Sequence, residues 1–349
     1  VTADERLALL PPIRRAREFY LYDHRGRRYL DLAQNGGRAI LGHRPNRLST
    51  RLKNVLSSGL LAELPSVYGP RLERAVARLI GGPCSVNYDD GRRGCAVRWY
   101  QGAERARAAI AAVLGAEPGA VHDPVHPAAG GPAPAAAGDA GADAAGGLSE
   151  TRRGEQQPAV VLWRPFLGGP DAAGAAGAQW RAAARVLLPV LPFPGAFAPQ
   201  VVCFASTAQR RPVAAGMAAA QDPPASDLVS PWLLAGLERA ALALQQDPRA
   251  GGAPAWPQTR SVQRRGSGRL RVPNWAGFES SLWRRVGPYL LWTGEEALPY
   301  DEVFRRFLEA GFLLSPEREA PSIIPGRCSH GEFARFVALC REVEEGGRC

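Results

Sequence analysis

Lysine is almost absent from this sequence of 349 residues: of its 43 basic side chains only Lys53 is a lysine, and the rest are arginines. A GC-rich coding sequence produces such a bias, and it has a chemical consequence. A guanidinium stays protonated and forms no imine, so any reaction needing a neutral side-chain amine has one candidate. Metal-binding spacings are also missing. The six cysteines (Cys84, Cys95, Cys203, Cys328, Cys340, Cys349) contain no C-x-x-C pair, and with five scattered histidines they make no zinc pattern. Reduced, mostly buried thiols are expected. No apolar run is long enough to span a bilayer. The segment VTADERLALLPPIRRAREF places Asp4 and Glu5 before a short apolar run and Arg14, Arg15 and Arg17 after it. That is not the order of a signal peptide, so a cytoplasmic location is expected.

What is present describes a globular chain. Apolar residues make up 46% and charged residues 22%, enough for one large domain and a smaller one. The net charge of +10 is carried by short clusters, such as Arg25, Arg27 and Arg28 or Arg264, Arg265, Arg269 and Arg271. No aromatic-interleaved basic stripe or nucleic-acid module accompanies them. Solvated faces are the favoured reading, and nucleic-acid binding is the lesser one.

Periodicity places the elements. REFYLYDHRGRRYLDL (17–32) alternates around His24-Arg25-Gly26 as a β-hairpin does. Helical spacing runs through 45–59, where Lys53 lies beside the apolar face as a solvated lysine, and through 69–82 with Pro70 near the start. CAVRWY (95–100) reads as a strand with a helix directly behind it (102–115). Residues 117–157 are rich in Ala, Gly and Pro with almost no large apolar side chain, and are expected to form a mobile loop. AVVLW (159–163) is a buried strand, 178–188 a short helix or helix–strand, and 201–204 a buried strand. SPWLLAGLERAALALQQ (230–246) is a helix with Ser230 as N-cap and Pro231 at its first position. After a linker near 248–268 come strands at 289–292 and 312–316, a helix at 300–311 and a capped helix at 329–345. No internal repeat is found.

Two motifs go further. YDHRGRRYLDL followed by GHRP (42–45) resembles the N-terminal signature of class-III aminotransferases, the fold-type-I pyridoxal-phosphate enzymes that include glutamate-1-semialdehyde aminomutase. The family pattern D-x-x-G-x-x-Y-L-D, then G-H-x-x-P, is met by Asp23, Gly26, Tyr29, Leu30, Asp31, Gly42 and His43, with Pro45 one residue early. VRWYQGAERARAAIAAV is similar to the family's S-G-[AS]-E-A strand–loop–helix. Gly102, Ala103 and Glu104 match it, and Gln101 stands where serine is usual. EVFRRFLEAGFLLSP and CSHGEFARF are similar to its C-terminal small domain. The likeness covers both ends and about half of the middle.

The resemblance implies an α/β fold: a central, mostly parallel sheet with helices on both faces, plus a small α+β domain made by the N- and C-terminal segments. The expected divisions are 1–68, 69–247 and 248–349. It implies pyridoxal phosphate as the family cofactor and a homodimer with the active site at its interface. Gln101, Gly102 and Ala103 would be a vestigial phosphate cup, where a helix N-terminus offers unpaired N–H groups to an anion. A strand–turn–helix whose Gly102 merely eases the turn is the plainer reading.

The residues that would do the chemistry are not there. In VCFASTAQRRPVAAG (202–216) the Schiff-base lysine position, counted back from Pro212, falls at Ala205 or Ser206, and neither has an amine. Arg210 and Arg211 are nearby but form no imine. The family's D-E-[VI] aspartate, which keeps the pyridine nitrogen protonated, has no counterpart in VLLPVLPFPGAF (186–197). The Tyr-His-Gly segment is reduced to AVHDPVHPAAGG, whose His122 and His126 read as loop residues. A pseudoenzyme of structural, binding or regulatory role is therefore expected, with no covalently held cofactor. An aminotransferase or aminomutase using Lys53, and a lysine-independent enzyme binding a phosphorylated ligand at Gly102, stand as alternatives.

Overall fold

The computed structural model describes residues 1–45, 47–80, 95–126, 159–167, 184–205, 222–247, 275, 278–294 and 298–346. The central sheet holds β4 (Ala96–Tyr100), β5 (Val160–Trp163), β6 (Val186–Pro189) and β7 (Gln200–Phe204) in the order β4-β7-β6-β5. β5 and β6 are parallel, and β7 is antiparallel to both β4 and β6. Three strands thus run one way and β7 runs against them.

Side chains on this sheet alternate, as a pleat requires. Val97, Trp99, Val161, Trp163, Leu187, Val201 and Cys203 share one core cluster with α3 (Tyr68–Ile80) and α5 (Pro231–Gln245). Tyr100, Val160, Val186, Val202 and Phe204 form another with α4 (Ala103–Leu114). Helices therefore cover both faces, which suits strands that read as nearly continuous apolar runs. On α3 the buried Leu72, Ala75, Val76 and Ile80 make the stripe that the sequence spacing predicts. α2 (Leu48–Ser57), grouped in sequence with the N-terminal segment, packs Leu48 and Leu52 on this same core.

A third cluster joins the two ends of the chain, from Phe19–Ala33 to Trp275–Val343. Here α1 (Ala3–Ala8) precedes β1 (Ile13–Arg17), β2 (Tyr20–Asp23) and β3 (Arg28–Asp31), and β10 (Phe312–Leu313) completes the order β1-β2-β3-β10. A second small sheet runs β11-β9-β8, from β8 (Trp283–Val286), β9 (Tyr289–Trp292) and β11 (Ser322–Ile323). α6 (Tyr300–Glu309) and α7 (His330–Gly346) bury Phe304, Phe307 and Phe336 against them. Each such fully buried ring contributes about 1.5–3 kcal/mol.

The residues of the N-terminal motif build this region. Asp23 Oδ1 accepts the N–H groups of Arg25 (2.9 Å) and Arg27 (2.8 Å), and Gly26 takes φ +85° in the turn. Tyr29 and Leu30 are buried. Asp31 accepts the Gln34 N–H at 2.9 Å and contacts His43 Nε2 at 2.8 Å. The His43 N–H donates to Glu18 O at 2.7 Å.

Some expectations change. Ser230 stands at the N-cap of α5, but its hydroxyl caps nothing and donates to Leu61 O at 2.7 Å. Ser329 does cap α7: its hydroxyl accepts the Glu332 N–H while Glu332 Oε2 accepts its own N–H at 2.8 Å. Of the loop expected at 117–157, residues 127–158 lie outside the described residues. Its beginning is held in place, since His122 pairs with Val161 and Val125 is fully buried. In the stretch expected as helix or helix–strand at 178–188, residues 186–188 are strand and 178–183 lie outside the described residues. Cys203, Cys328 and Cys340 are free, buried thiols, Cys95 is buried too, and burial pushes Cys328 and Cys340 up to about 12. Among the described residues no helix is long and apolar enough to cross a membrane, and no group of side chains has the makeup of a metal site.

Gly42 tests the N-terminal motif. It has φ +85°, and a Cβ there would stand 2.9 Å from Glu18 O. Gly42→Ala is expected to lower stability by about 2–4 kcal/mol, read as a drop in urea midpoint at unchanged slope.

Candidate functional site

In α/β sheets, ligands gather where parallel strands end. Here that edge is formed by the residues that follow β4, β5 and β6: Gln101-Gly102, Arg164-Pro165 and Val190-Leu191. A turn at 34–37 lies against it. Arg164 Nη1 reaches Gly36 O at 3.5 Å, and a Cβ on Gly37 would touch Val190 Cγ1 at 3.4 Å. Gln34, Asn35, Gly36 and Gly37 all have positive φ (43°, 47°, 63° and 102°). For Gln34 and Asn35 that conformation costs about 1–2 kcal/mol each. It is held by the Asp31–Gln34 bond and by Gln34 Nε2 donating to Ile323 O at 2.9 Å.

Gly102, with φ +83° and ψ 158°, precedes α4 in a conformation only glycine adopts easily, and a Cβ there would meet nothing within 4 Å. Gln101, Gly102 and Ala103 are all exposed. The end of β4 is tied to residues 224–228. Trp99 Nε1 donates to Asp227 O at 3.0 Å, the Tyr100 hydroxyl to Pro224 O at 2.9 Å, and Gln101 Nε2 to Leu228 O at 2.7 Å. The Gln101 N–H donates to Asp227 Oδ2 at 2.8 Å, and Arg105 Nε lies 3.3 Å from Asp227 Oδ1.

After β5, Arg164 makes a fork–fork pair with Asp123. Nε is 2.8 Å from Oδ1, and Nη2 is 2.6 Å from Oδ2. The guanidinium also lies over the Tyr289 ring, 5.3 Å from its centroid. Burial alone would raise the Asp123 carboxyl, but the hydrogen bond and charge of Arg164, with the Val125 N–H, hold it below its ordinary 3.8. His126 Nε2 stands 3.9 Å from Asp123 Oδ2, and burial lowers the His122 imidazole.

The structure does not bring the two sequence-predicted sites together. β7 is antiparallel to β4 with Tyr100 opposite Gln200 and Ala96 opposite Phe204, so its C-terminal end leaves at the other edge of the sheet. Ala205 is buried there, its N–H on Arg185 O at 2.9 Å, roughly 15 Å of strand from Gly102. Ser206, Arg210, Arg211 and Pro212 lie outside the described residues. A group leaving a strand toward Gly102 would instead follow β6, at Val190 or Leu191, and neither bears an amine. Lys53 is exposed on α2, a helix that also holds Arg51 in a pair with Glu238. Asp227 and the Asp123–Arg164 pair were not found from the sequence, because their partners are 126 and 41 positions away.

Removing Asp123 leaves a buried guanidinium uncompensated. Asp123→Ala is expected to cost about 3 kcal/mol near neutral pH. A carboxyl lowered by folding stabilises above its unfolded value, and that contribution is lost as pH falls through the lowered folded value. The stability gap between wild type and variant should therefore close below pH 3.8, as followed by denaturant unfolding across an acid series.

No family model matches the chain. An uncharacterized protein of Treponema pallidum (strain Nichols) is 30% identical over 351 residues, covering 95% of this chain and 94% of that protein. Among solved structures, ornithine delta-aminotransferase of Plasmodium falciparum superimposes with a TM-score of 0.54 at 11% identity over 99% of each chain. Acetylornithine aminotransferase of Elizabethkingia anophelis does so with 0.53 at 12% identity, again over 99% of each chain. The chain belongs to the same family as the Treponema pallidum protein, and its fold is that of the pyridoxal-phosphate-dependent fold-type-I aminotransferases.

Proposed function

We propose that this chain keeps the aminotransferase fold without transaminating, and serves a binding, structural or regulatory role as a homodimer. One observation carries the reading. The strand ends that share an edge with Gly102 offer Gln101, Arg164, Pro165, Val190 and Leu191, and none can form an imine. Pyridoxal phosphate, the cofactor of the fold family, does not fit these residues as a covalently held group. No carboxylate follows β5 or β6 at this edge to hold its ring nitrogen protonated, and the one lysine is exposed on α2.

The test uses the purified chain with pyridoxal phosphate and amino donors, beside a Lys53→Arg variant. Neither protein should turn over a donor, and borohydride should fix no pyridoxyl group that the variant lacks. Turnover by the wild type alone, with a pyridoxyl group trapped on Lys53, would show a working aminotransferase.

The homodimer has support of its own. Leu61, Leu64, Val67 and Leu228 are 60%, 48%, 63% and 54% exposed. Their segments meet around Gln101, through Gln101 Nε2 to Glu63 Oε1 at 3.2 Å and Ser230 Oγ to Leu61 O at 2.7 Å. Apolar side chains gathered this way favour a protein partner over solvent, and a second copy is the partner proposed. Light scattering at micromolar concentration should give the mass of two chains, and Leu64→Glu with Val67→Glu should give the mass of one. A wild type that runs as a single chain would refute the dimer.

A further inference from the structure

No basic stripe with aromatics set into it runs along the sequence, but the N-terminal sheet makes one across its strands. β1 stands at one end of the order β1-β2-β3-β10, and all five of its residues are exposed. Arg15 is opposite Tyr22, and Tyr22 is opposite Arg28. In the next row Arg17 is opposite Tyr20. Residues directly opposite in antiparallel strands share a face, so these arginines and tyrosines lie together on one side of the sheet. The Arg15 guanidinium lies over the Tyr22 ring, 4.3 Å from its centroid, and the Arg28 guanidinium over the Tyr20 ring at 4.6 Å.

This face is cationic and open. Arg15, Arg17 and Arg28 are exposed, and both tyrosines are part-exposed. Arg14, where the register between Ile13 and Arg15 is irregular, is exposed as well. Among the described residues no carboxylate pairs with Arg14, Arg15 or Arg17. The two carboxylates that border the face are already engaged. Glu332 holds Arg28 at 2.6 Å and the Tyr20 hydroxyl at 2.9 Å, and Glu18 faces Arg327 at 3.4 Å. Charge on an edge strand guards against pairing with another sheet, but that role needs no tyrosines in register with it.

We infer that this face of β1 and β2 docks single-stranded nucleic acid. Arg15 and Arg17 are two positions apart, roughly 7 Å along the strand, close to the repeat of phosphates on an extended nucleic-acid strand. A guanidinium laid on a tyrosine ring keeps its N–H edge for a phosphate, and its plane, like the ring, takes a stacked base. An acidic peptide or an anionic lipid surface would use the charge and leave the rings idle. Bases and phosphates together use both. The net charge of +10 favours the approach of such a partner. Docking here requires neither the loss of transamination nor a dimer, so it is independent of the proposed function.

The probe is a fluorescently labelled oligothymidylate of about fifteen residues, titrated with the full chain and read by anisotropy. At low salt it should bind with a micromolar Kd that weakens as salt rises. Arg15→Ala with Arg17→Ala should raise Kd at least about tenfold and reduce the slope of log K against log salt by about one. Tyr22→Leu, which keeps an apolar side chain but removes the ring, should raise Kd at least about threefold and leave that slope as it is. Arg107→Ala with Arg341→Ala, exposed residues of α4 and α7, should change neither. Absence of binding at low salt, an equal loss in the Arg107 and Arg341 control, or wild-type binding by Tyr22→Leu would overturn the assignment. Competition needs no variant. Unlabelled oligothymidylate should displace the probe, and polyglutamate or phosphatidylglycerol vesicles at equal charge should not. Displacement by either of these to the same extent would reveal a surface that reads charge alone, and would equally overturn it.

Discussion

The direction of β7 governs the geography of this molecule. Because it runs against both β4 and β6, the chain leaves it at the edge away from Gly102. Its register is held by burial on both faces. Val201 and Cys203 pack toward α3 and α5, and Val202 and Phe204 toward α4. A slip of one residue would exchange those sets between faces, so the direction and the position of its end are fixed together. Among the described residues, the groups placed to meet a ligand at Gly102 then come from the ends of β4, β5 and β6, from the turn at 34–37, or from the segment beside β4.

The motif that links this chain to the aminotransferases serves the fold. Asp23 and Gly26 make a turn, Tyr29 and Leu30 fill a core, and Asp31, Gly42 and His43 lock the hairpin to the chain that follows it. None of these contacts touches the α4 N-terminus. Residues with these roles answer to the architecture, and they say little about chemistry. A strong architectural motif therefore carries no information by itself on which groups react.

What the sequence made legible was local. The stripe Leu72, Ala75, Val76 and Ile80 on α3, the hairpin around Gly26, and the strand–glycine–helix at β4 and α4 each carry their own periodic or turn signal. β1 carried none, because all five of its residues are exposed. The direction of β7 was hidden, since a buried apolar strand reads the same either way, and so was the edge at which Ala205 emerges. The left-handed run was half visible: Gly36 and Gly37 mark a turn, but nothing local marks Gln34 and Asn35. Asp227 was invisible because its meaning lies in bonds to Trp99, Gln101 and Arg105, more than 120 positions earlier.

The near-absence of lysine reaches beyond catalysis. Lys53 stands on the exposed side of α2, away from the buried Val55 of the same helix. Among side chains, an acylating dye or an activated-ester surface therefore meets one amine, at a fixed place on a packed helix. Apart from the α-amino group, the native chain thus offers one side-chain attachment point for oriented display or fluorescence, with no substitution needed to create it.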